Sequence, residues 1–165
     1  MFVRQRGWLN CFLLGADSRR TGWRVASPPL ARKGPSLNLR IFLVEDSDII
    51  RSNLSETLLE LGNAQVVAHA IGESEARAWL GTHRRDWDLA VVDLFLKEGS
   101  GMGVLSSQRE RQAAQKIVVL SNYATCDMRS RCAALGADAV FDKSTELDDL
   151  IDYCLGLRVR EHQDD

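Results

Sequence analysis

The stretch that decides the fold is "LAVVDLFLKEGSGMG", Leu89–Gly103. Leu89, Ala90, Val91 and Val92 form a short apolar run without polar alternation, and the run stops at a carboxylate, Asp93. Runs of this kind belong to strands buried on both faces, as in parallel sheets. An unpaired carboxylate is costly to bury, so Asp93 is expected where the strand leaves the core. Gly99, Gly101 and Gly103 follow and let the chain turn sharply.

The same pattern recurs on both sides. "LNLRIFLVED" (37–46), "AQVVAHA" (64–70), "WDLAVVDLF" (87–95), "KIVVLSN" (116–122) and "ADAVFDK" (137–143) read as five strands. Amphipathic stretches lie between them. Ser47 is placed to cap a helix with Ile50, Leu54, Leu58 and Leu61 on its inner face, and Gly62 to stop it. A second helix opens at Glu73, with Ala76, Trp79, Leu80 and His83 on one face. A third starts near Gly101 and carries Val104 and Leu105. Thr125 caps a fourth, with Met128, Cys132 and Leu135 inward and Gly136 as its stop. "STELDDLIDYCLGL" (144–157) is the last, with Glu146, Asp148 and Asp149 where the helix dipole favours acids. Strands alternating with helices predict an α/β fold with a parallel five-stranded sheet covered on both faces.

At 165 residues, 45% hydrophobic and 27% charged, the chain fits one globular domain. Its net charge of −2 is unevenly spread. Residues 1–38 hold seven Arg or Lys and a single acid, Asp17, whereas the remainder holds fourteen basic and twenty-two acidic residues. An acidic body does not suit direct nucleic-acid binding. No apolar run approaches the roughly 18–20 residues that span a bilayer. Cys11, Cys126, Cys132 and Cys154 show no metal-ligand or disulfide spacing and are expected as reduced thiols in a cytoplasmic protein. Residues 1–37 hold all three prolines and no sustained period. "WLNCFLLGA" resembles a weak signal-peptide core, but no small-x-small cleavage site follows it. The expectation is a flexible basic leader or a start assigned too far upstream, then one domain over 38–158 and a polar tail over 159–165.

In open parallel sheets, ligands bind beyond the carboxyl ends of the strands. Here those ends read Glu45-Asp46, Asp93, Ser121 and Lys143. Three carboxylates on one rim repel one another, and a hard divalent cation relieves that; Mg²⁺ takes one or two carboxylates plus waters and a phosphate oxygen. An Asp carboxylate is a competent nucleophile toward phosphorus. A lysine neutralises the phosphoryl oxygens, and a serine hydroxyl can hydrogen-bond them. The set reads as a phosphoryl site.

"LVEDSD", "VVDLFLKEGSG", "VVLSN" and "FDKS", in this order and spacing over residues 38–157, resemble the receiver domain of two-component response regulators. The resemblance implies a flavodoxin-like sheet of order 2-1-3-4-5. It implies Asp93 as the phosphoacceptor, served by a sensor histidine kinase or phosphotransfer protein. Asp46 would ligate Mg²⁺, with Glu45 acting chiefly through water and Asp93 and the Phe95 backbone carbonyl completing the protein ligands. Ser121 would be the switch hydroxyl and Lys143 the phosphate-pairing lysine. Chemistry would be confined to Mg²⁺-dependent self-phosphorylation and autodephosphorylation.

With only a short polar stretch after Leu157, the expectation is a stand-alone phosphoprotein that signals to a downstream protein target. The fourth helix, fifth strand and fifth helix would form the signalling surface, also available to a second copy. Neither nucleic acid nor membrane is an expected partner. Three positions depart from the family pattern: Val140 stands where an aromatic switch residue is usual, Ser144 where proline follows the lysine, and Lys97 where proline follows the acceptor. Phe141 cannot replace the aromatic, because strand alternation sends it to the opposite face. Val140 therefore also raises a phosphorylation-independent interaction module. An aspartyl-phosphate phosphatase would place a second Asp two residues after the first, where this chain has Phe95.

Overall fold

The computed structural model describes residues 38–161, with side chains to Leu157. The expected leader over 1–37 and the end of the expected tail, residues 162–165, lie outside the described residues. Strands and helices alternate in the order β1 (Leu39–Val44), α1 (Asp48–Glu60), β2 (Ala64–Ala70), α2 (Glu73–Thr82), β3 (Leu89–Val92), α3 (Gly101–Ser107), β4 (Lys116–Ser121), α4 (Cys126–Ala134), β5 (Ala139–Asp142) and α5 (Leu147–Glu161). The sheet order is β2-β1-β3-β4-β5, and every neighbouring pair is parallel. This is the expected topology.

Alternation along the central strands feeds two cores. On one face Phe42, Val44, Ala90, Val92, Ile117 and Val119 pack against α2, α3 and α4 through Leu80, Val104, Leu105 and Cys132. On the other, Ile41, Leu43, Leu89, Val91, Val118 and Leu120 pack against α1 and α5 through Leu54, Leu58, Leu150 and Cys154. Both faces are dry, which is why β1, β3 and β4 read as unbroken apolar runs. The edge strand β2 alternates in exposure instead.

The caps fall as expected. Ser47 accepts from the Ile50 N–H, and Thr125 from the Met128 N–H. The inner faces expected for α2, α3 and α4 pack against the core, whereas that of α1 holds only at its centre. Leu54 and Leu58 are buried, whereas Ile50, in the first turn of α1, and Leu61, its C-cap, are 38% and 59% exposed. Trp79 is half-buried and stacks between Phe42 and His83. The last helix runs past the expected end at Leu157 to Glu161, since Arg158, Arg160 and Glu161 are good helix formers and no proline intervenes. As expected, Val140 and Phe141 face opposite cores, with Phe141 edge-on to Tyr153.

Candidate functional site

The strands end slightly earlier than the sequence runs suggest, so the charged residues sit just beyond them. The ladder nevertheless reaches these residues. The Glu45 N–H donates to Ala70 O at the end of β2, the Asp93 N–H to Val44 O at the end of β1, and the Lys143 N–H to Ser121 O at the end of β4. Parallel pairing, with Val44 opposite Val92 and Ser121 opposite Asp142, sets these positions side by side on one rim.

Lys143 joins two of the carboxylates. Its Nζ donates to Glu45 Oε2 at 2.6 Å and to Asp93 Oδ2 at 2.7 Å. Glu45 and Asp93 are almost fully buried, and the lysine side chain is only 10% exposed. Burial works to lower the Lys143 pKa, but hydrogen bonds and charge from Asp93 and Glu45 together outweigh it and raise the value above that of an ordinary lysine.

Asp46 faces the same cleft from a different direction. Its Oδ2 accepts the Lys97 backbone N–H at 3.1 Å and lies 3.7 Å from the Lys97 ammonium. The backbone bond exists only because position 97 is not proline, which has no N–H. Phe95 donates its N–H to Asp93 Oδ1 at 3.3 Å, and its exposed ring sits edge-on to Tyr123 with centroids 5.1 Å apart.

The Asp93–α3 turn is held tightly. The Gly101 N–H donates to Leu94 O, and a Cβ at Gly101 would lie 2.1 Å from the Asp93 carbonyl oxygen. Gly99 adopts a left-handed φ of 73°. Glu73, at the start of α2, accepts the Ser100 N–H at 2.9 Å and clasps the loop.

Glu45, Asp46, Asp93, Phe95 and Lys143 thus line one cleft of about 210 Å³. Ser121 does not line it. Its hydroxyl is fully buried beneath the rim and has no hydrogen-bond partner among the described residues. Sequence reasoning missed Ser47, Ile50, Asn122 and Tyr123, which complete the wall. Asn122 and Tyr123 directly follow a strand end, which was the available signal. It also missed Arg129, part-buried in the middle of α4, which donates to the Ala124 and Val140 carbonyls and pairs with Glu146 at 2.6 Å. That pairing lowers the Glu146 pKa.

The carboxylate oxygens of the cleft suit a hard cation, and no cysteine, methionine or histidine lines it. No three His, Cys, Asp or Glu side chains among the described residues converge as an all-protein cage. Mg²⁺ does not require one, because it keeps several waters and takes one or two carboxylates. Asp46, which Lys143 leaves untouched, is the carboxylate best placed to serve.

A family model for the response regulator receiver domain matches residues 41–154. The chain belongs to this family.

Receivers of this family act in two-component systems, where phosphorylation and Mg²⁺ are typical and the partners are histidine kinases or phosphotransfer proteins. The receiver is 29% identical over 118 residues to the acid tolerance regulatory protein ActR of Rhizobium meliloti, covering 72% of this chain and 58% of ActR. It is 25% identical over 115 residues to the photosynthetic apparatus regulatory protein RegA of Rhodobacter capsulatus, covering 70% and 60%. The chain therefore spans less than two thirds of the length of these curated relatives. Among solved structures, the phosphorylated cyanobacterial phytochrome response regulator RcpA superposes with a TM-score of 0.59 at 25% identity, covering 73% of this chain and 91% of RcpA. No helix among the described residues is long and apolar enough to cross a membrane.

Proposed function

We propose that this receiver accepts a phosphoryl group on Asp93 from a phosphohistidine and signals through an altered protein–protein surface. The observation that carries the reading is the Lys143 ammonium held 2.7 Å from Asp93 at the end of the central strand, inside a cleft open to solvent. The Asp93 carboxylate attacks phosphorus, an O–P bond forms, and the P–N bond to the donor imidazole breaks with its electron pair returning to the ring nitrogen. Lys143 neutralises negative charge on the phosphoryl oxygens as transfer proceeds. Mg²⁺, held by Asp46, Asp93 and the Phe95 carbonyl with Glu45 acting through water, would supply further charge neutralisation. Ser121 is the hydroxyl that turns toward the new phosphoryl group; a buried hydroxyl lacking a partner gains from acquiring one. The readout is the face of α4, β5 and α5, which also offers a surface for a second copy.

Incubation with Mg²⁺ and a small acyl phosphate tests the chemistry. Intact mass should rise by one phosphoryl group, the modification should map to Asp93, and Asp93→Asn should abolish it. A phosphoryl group on another residue, or none on a folded wild-type protein, overturns the reading.

Val140 favours a second reading, a receiver-like interaction module that works without phosphorylation. It fills the position of the usual aromatic with a small buried side chain, while Arg129 already ties α4 to its carbonyl. Equal partner binding by wild type and Asp93→Asn, before and after phosphodonor treatment, would select this alternative.

A further inference from the structure

The loop from β3 into α3 reaches the site with two backbone amides. The Phe95 N–H donates to Asp93 Oδ1 at 3.3 Å, and the Lys97 N–H to Asp46 Oδ2 at 3.1 Å. One short segment therefore aims carboxylates that follow two different strands. Phe95, Lys97 and Glu98 are all exposed, and a surface loop keeps such a geometry only when something fixes it.

The fixing group comes from α2. Glu73, the first residue of that helix, extends its carboxylate across to the loop. Its Oε2 accepts the Ser100 N–H at 2.9 Å, and its Oε1 the Arg77 guanidinium at 3.2 Å. The side chain is only 21% exposed, although the next residues, Ser74 and Glu75, are open to solvent. The loop returns the contact through Glu98. Its carbonyl oxygen accepts the Glu73 N–H at 3.0 Å, and its carboxylate accepts the Ser74 N–H and hydroxyl at 3.1 and 2.9 Å. Those bonds hold the Glu98 carboxyl below the ordinary carboxylate value. Each segment thus supplies a carboxylate to the backbone of the other, and hydrogen bonds to charged groups are the stronger kind.

The first turn of α3 leaves room for the contact. A Cβ at Gly103 would lie 2.0 Å from Glu73 Oε1 and within 2.5 Å of the whole carboxyl group. Glycine is a poorer helix former than alanine, and it stands at the position where the Glu73 carboxylate enters.

We propose, on the reading of the cleft as a phosphoryl site, that Glu73 is a positioning residue for it. By holding Ser100 it fixes the β3–α3 loop, so that the Phe95 and Lys97 amides orient Asp93 and Asp46 toward Mg²⁺ and the incoming phosphoryl group. Glu73 itself touches neither.

Three variants of the full-length protein test this. Glu73→Ala removes the carboxylate, Gly103→Ala displaces it, and Glu73→Gln keeps an acceptor for the Ser100 N–H. In metal-free ¹⁵N-labelled protein, water exchange at the Lys97 amide should quicken in Glu73→Ala and Gly103→Ala but not in Glu73→Gln. Calorimetric titration with Mg²⁺ alone should show the midpoint raised about tenfold in the first two. Combining them should raise it no further, because the methyl then has no carboxylate to displace. With a small acyl phosphate, the rate of Asp93 modification should follow the same midpoint and recover at saturating Mg²⁺. A merely structural role would instead lower the plateau at an unchanged midpoint. That result, unchanged Lys97 exchange in folded Glu73→Ala, or a loss in Glu73→Gln equal to that in Glu73→Ala overturns the proposal. Shifted exchange and Mg²⁺ midpoints in a protein whose wild type takes no phosphoryl group sustain the positioning role and overturn the phosphoryl reading alone.

Discussion

Asp46 is engaged by Lys97 twice, through the backbone N–H and the side-chain ammonium. A cation approaching Asp46 meets a positive charge already there. The Lys97 side chain is 80% exposed, so water and salt screen most of its effect. Exposed pairs are worth about 0.2–1 kcal/mol. Lys97→Ala should therefore tighten Mg²⁺ binding by between about 1.4-fold and 5-fold, measured by calorimetric titration; unchanged or weaker binding would refute the competition. Lys143 makes a pH prediction. Its folded pKa is raised by Asp93 and Glu45 above that of an unfolded lysine, roughly 10.4. A raised folded value means that the stabilisation is complete below the unfolded pKa and is lost as pH rises through the folded one. The stability difference between wild type and Lys143→Met should stay level at neutral and mildly alkaline pH and shrink above pH about 10.4. Urea midpoints across that interval measure it.

At the scale of elements, the turn from β3 into α3 depends on one position. A methyl at Gly101 would meet the Asp93 carbonyl oxygen at 2.1 Å and Leu94 Cα at 2.8 Å, and backbone cannot yield as a flexible side chain does. Gly101→Ala should lower both the urea midpoint and the rate of phosphorylation, because the displaced backbone is that of Asp93. Gly81, near the end of α2, has nothing within 4 Å of the same methyl. Gly81→Ala should leave phosphorylation unchanged and stabilise by up to about 1 kcal/mol. An equal response of the two variants would contradict the steric argument. The contrast also shows what the sequence could reveal. The apolar runs, the Ser47 and Thr125 caps and the turn glycines are local signals, and they were legible. So was the gathering of Glu45, Asp46, Asp93 and Lys143, since strand ends in a parallel sheet share a rim. Burial of Ser121, the exposure of Ile50 and Leu61, and the Arg129 and Lys97 contacts were not legible. Each depends on how a residue packs at the end of an element or on partners distant in sequence, which periodicity does not encode.

On the scale of the whole molecule, a single sheet separates two cores and belongs to both. Leu58 is fully buried in the α1/α5 core, whereas Trp79 and Trp87 belong to the core under α2, α3 and α4. Leu58→Ala should destabilise by about 2–5 kcal/mol. Because domains of this size usually unfold in one cooperative step, the fluorescence of Trp79 and Trp87, read with Trp8 and Trp23 replaced by Phe, should shift by the same amount as circular dichroism. Separate transitions would mean that the two cores melt independently.

The backbone bonds that suspend Glu45, Asp93 and Lys143 from neighbouring strands make the site a matter of counting. Side chains along a strand alternate between faces, so the sheet has a frame of two, as a message has a frame of three. Substituting a residue beside the site changes a contact. Inserting one residue between Val92 and Asp93 instead turns the carboxylate away from its partners while leaving the composition and hydrophobicity of the chain nearly untouched. The turn joining α1 to β2, around Asn63, carries no such frame and should absorb the same insertion. Variation in length is thus tolerated at one end of this sheet and excluded at the other, whatever the residues involved.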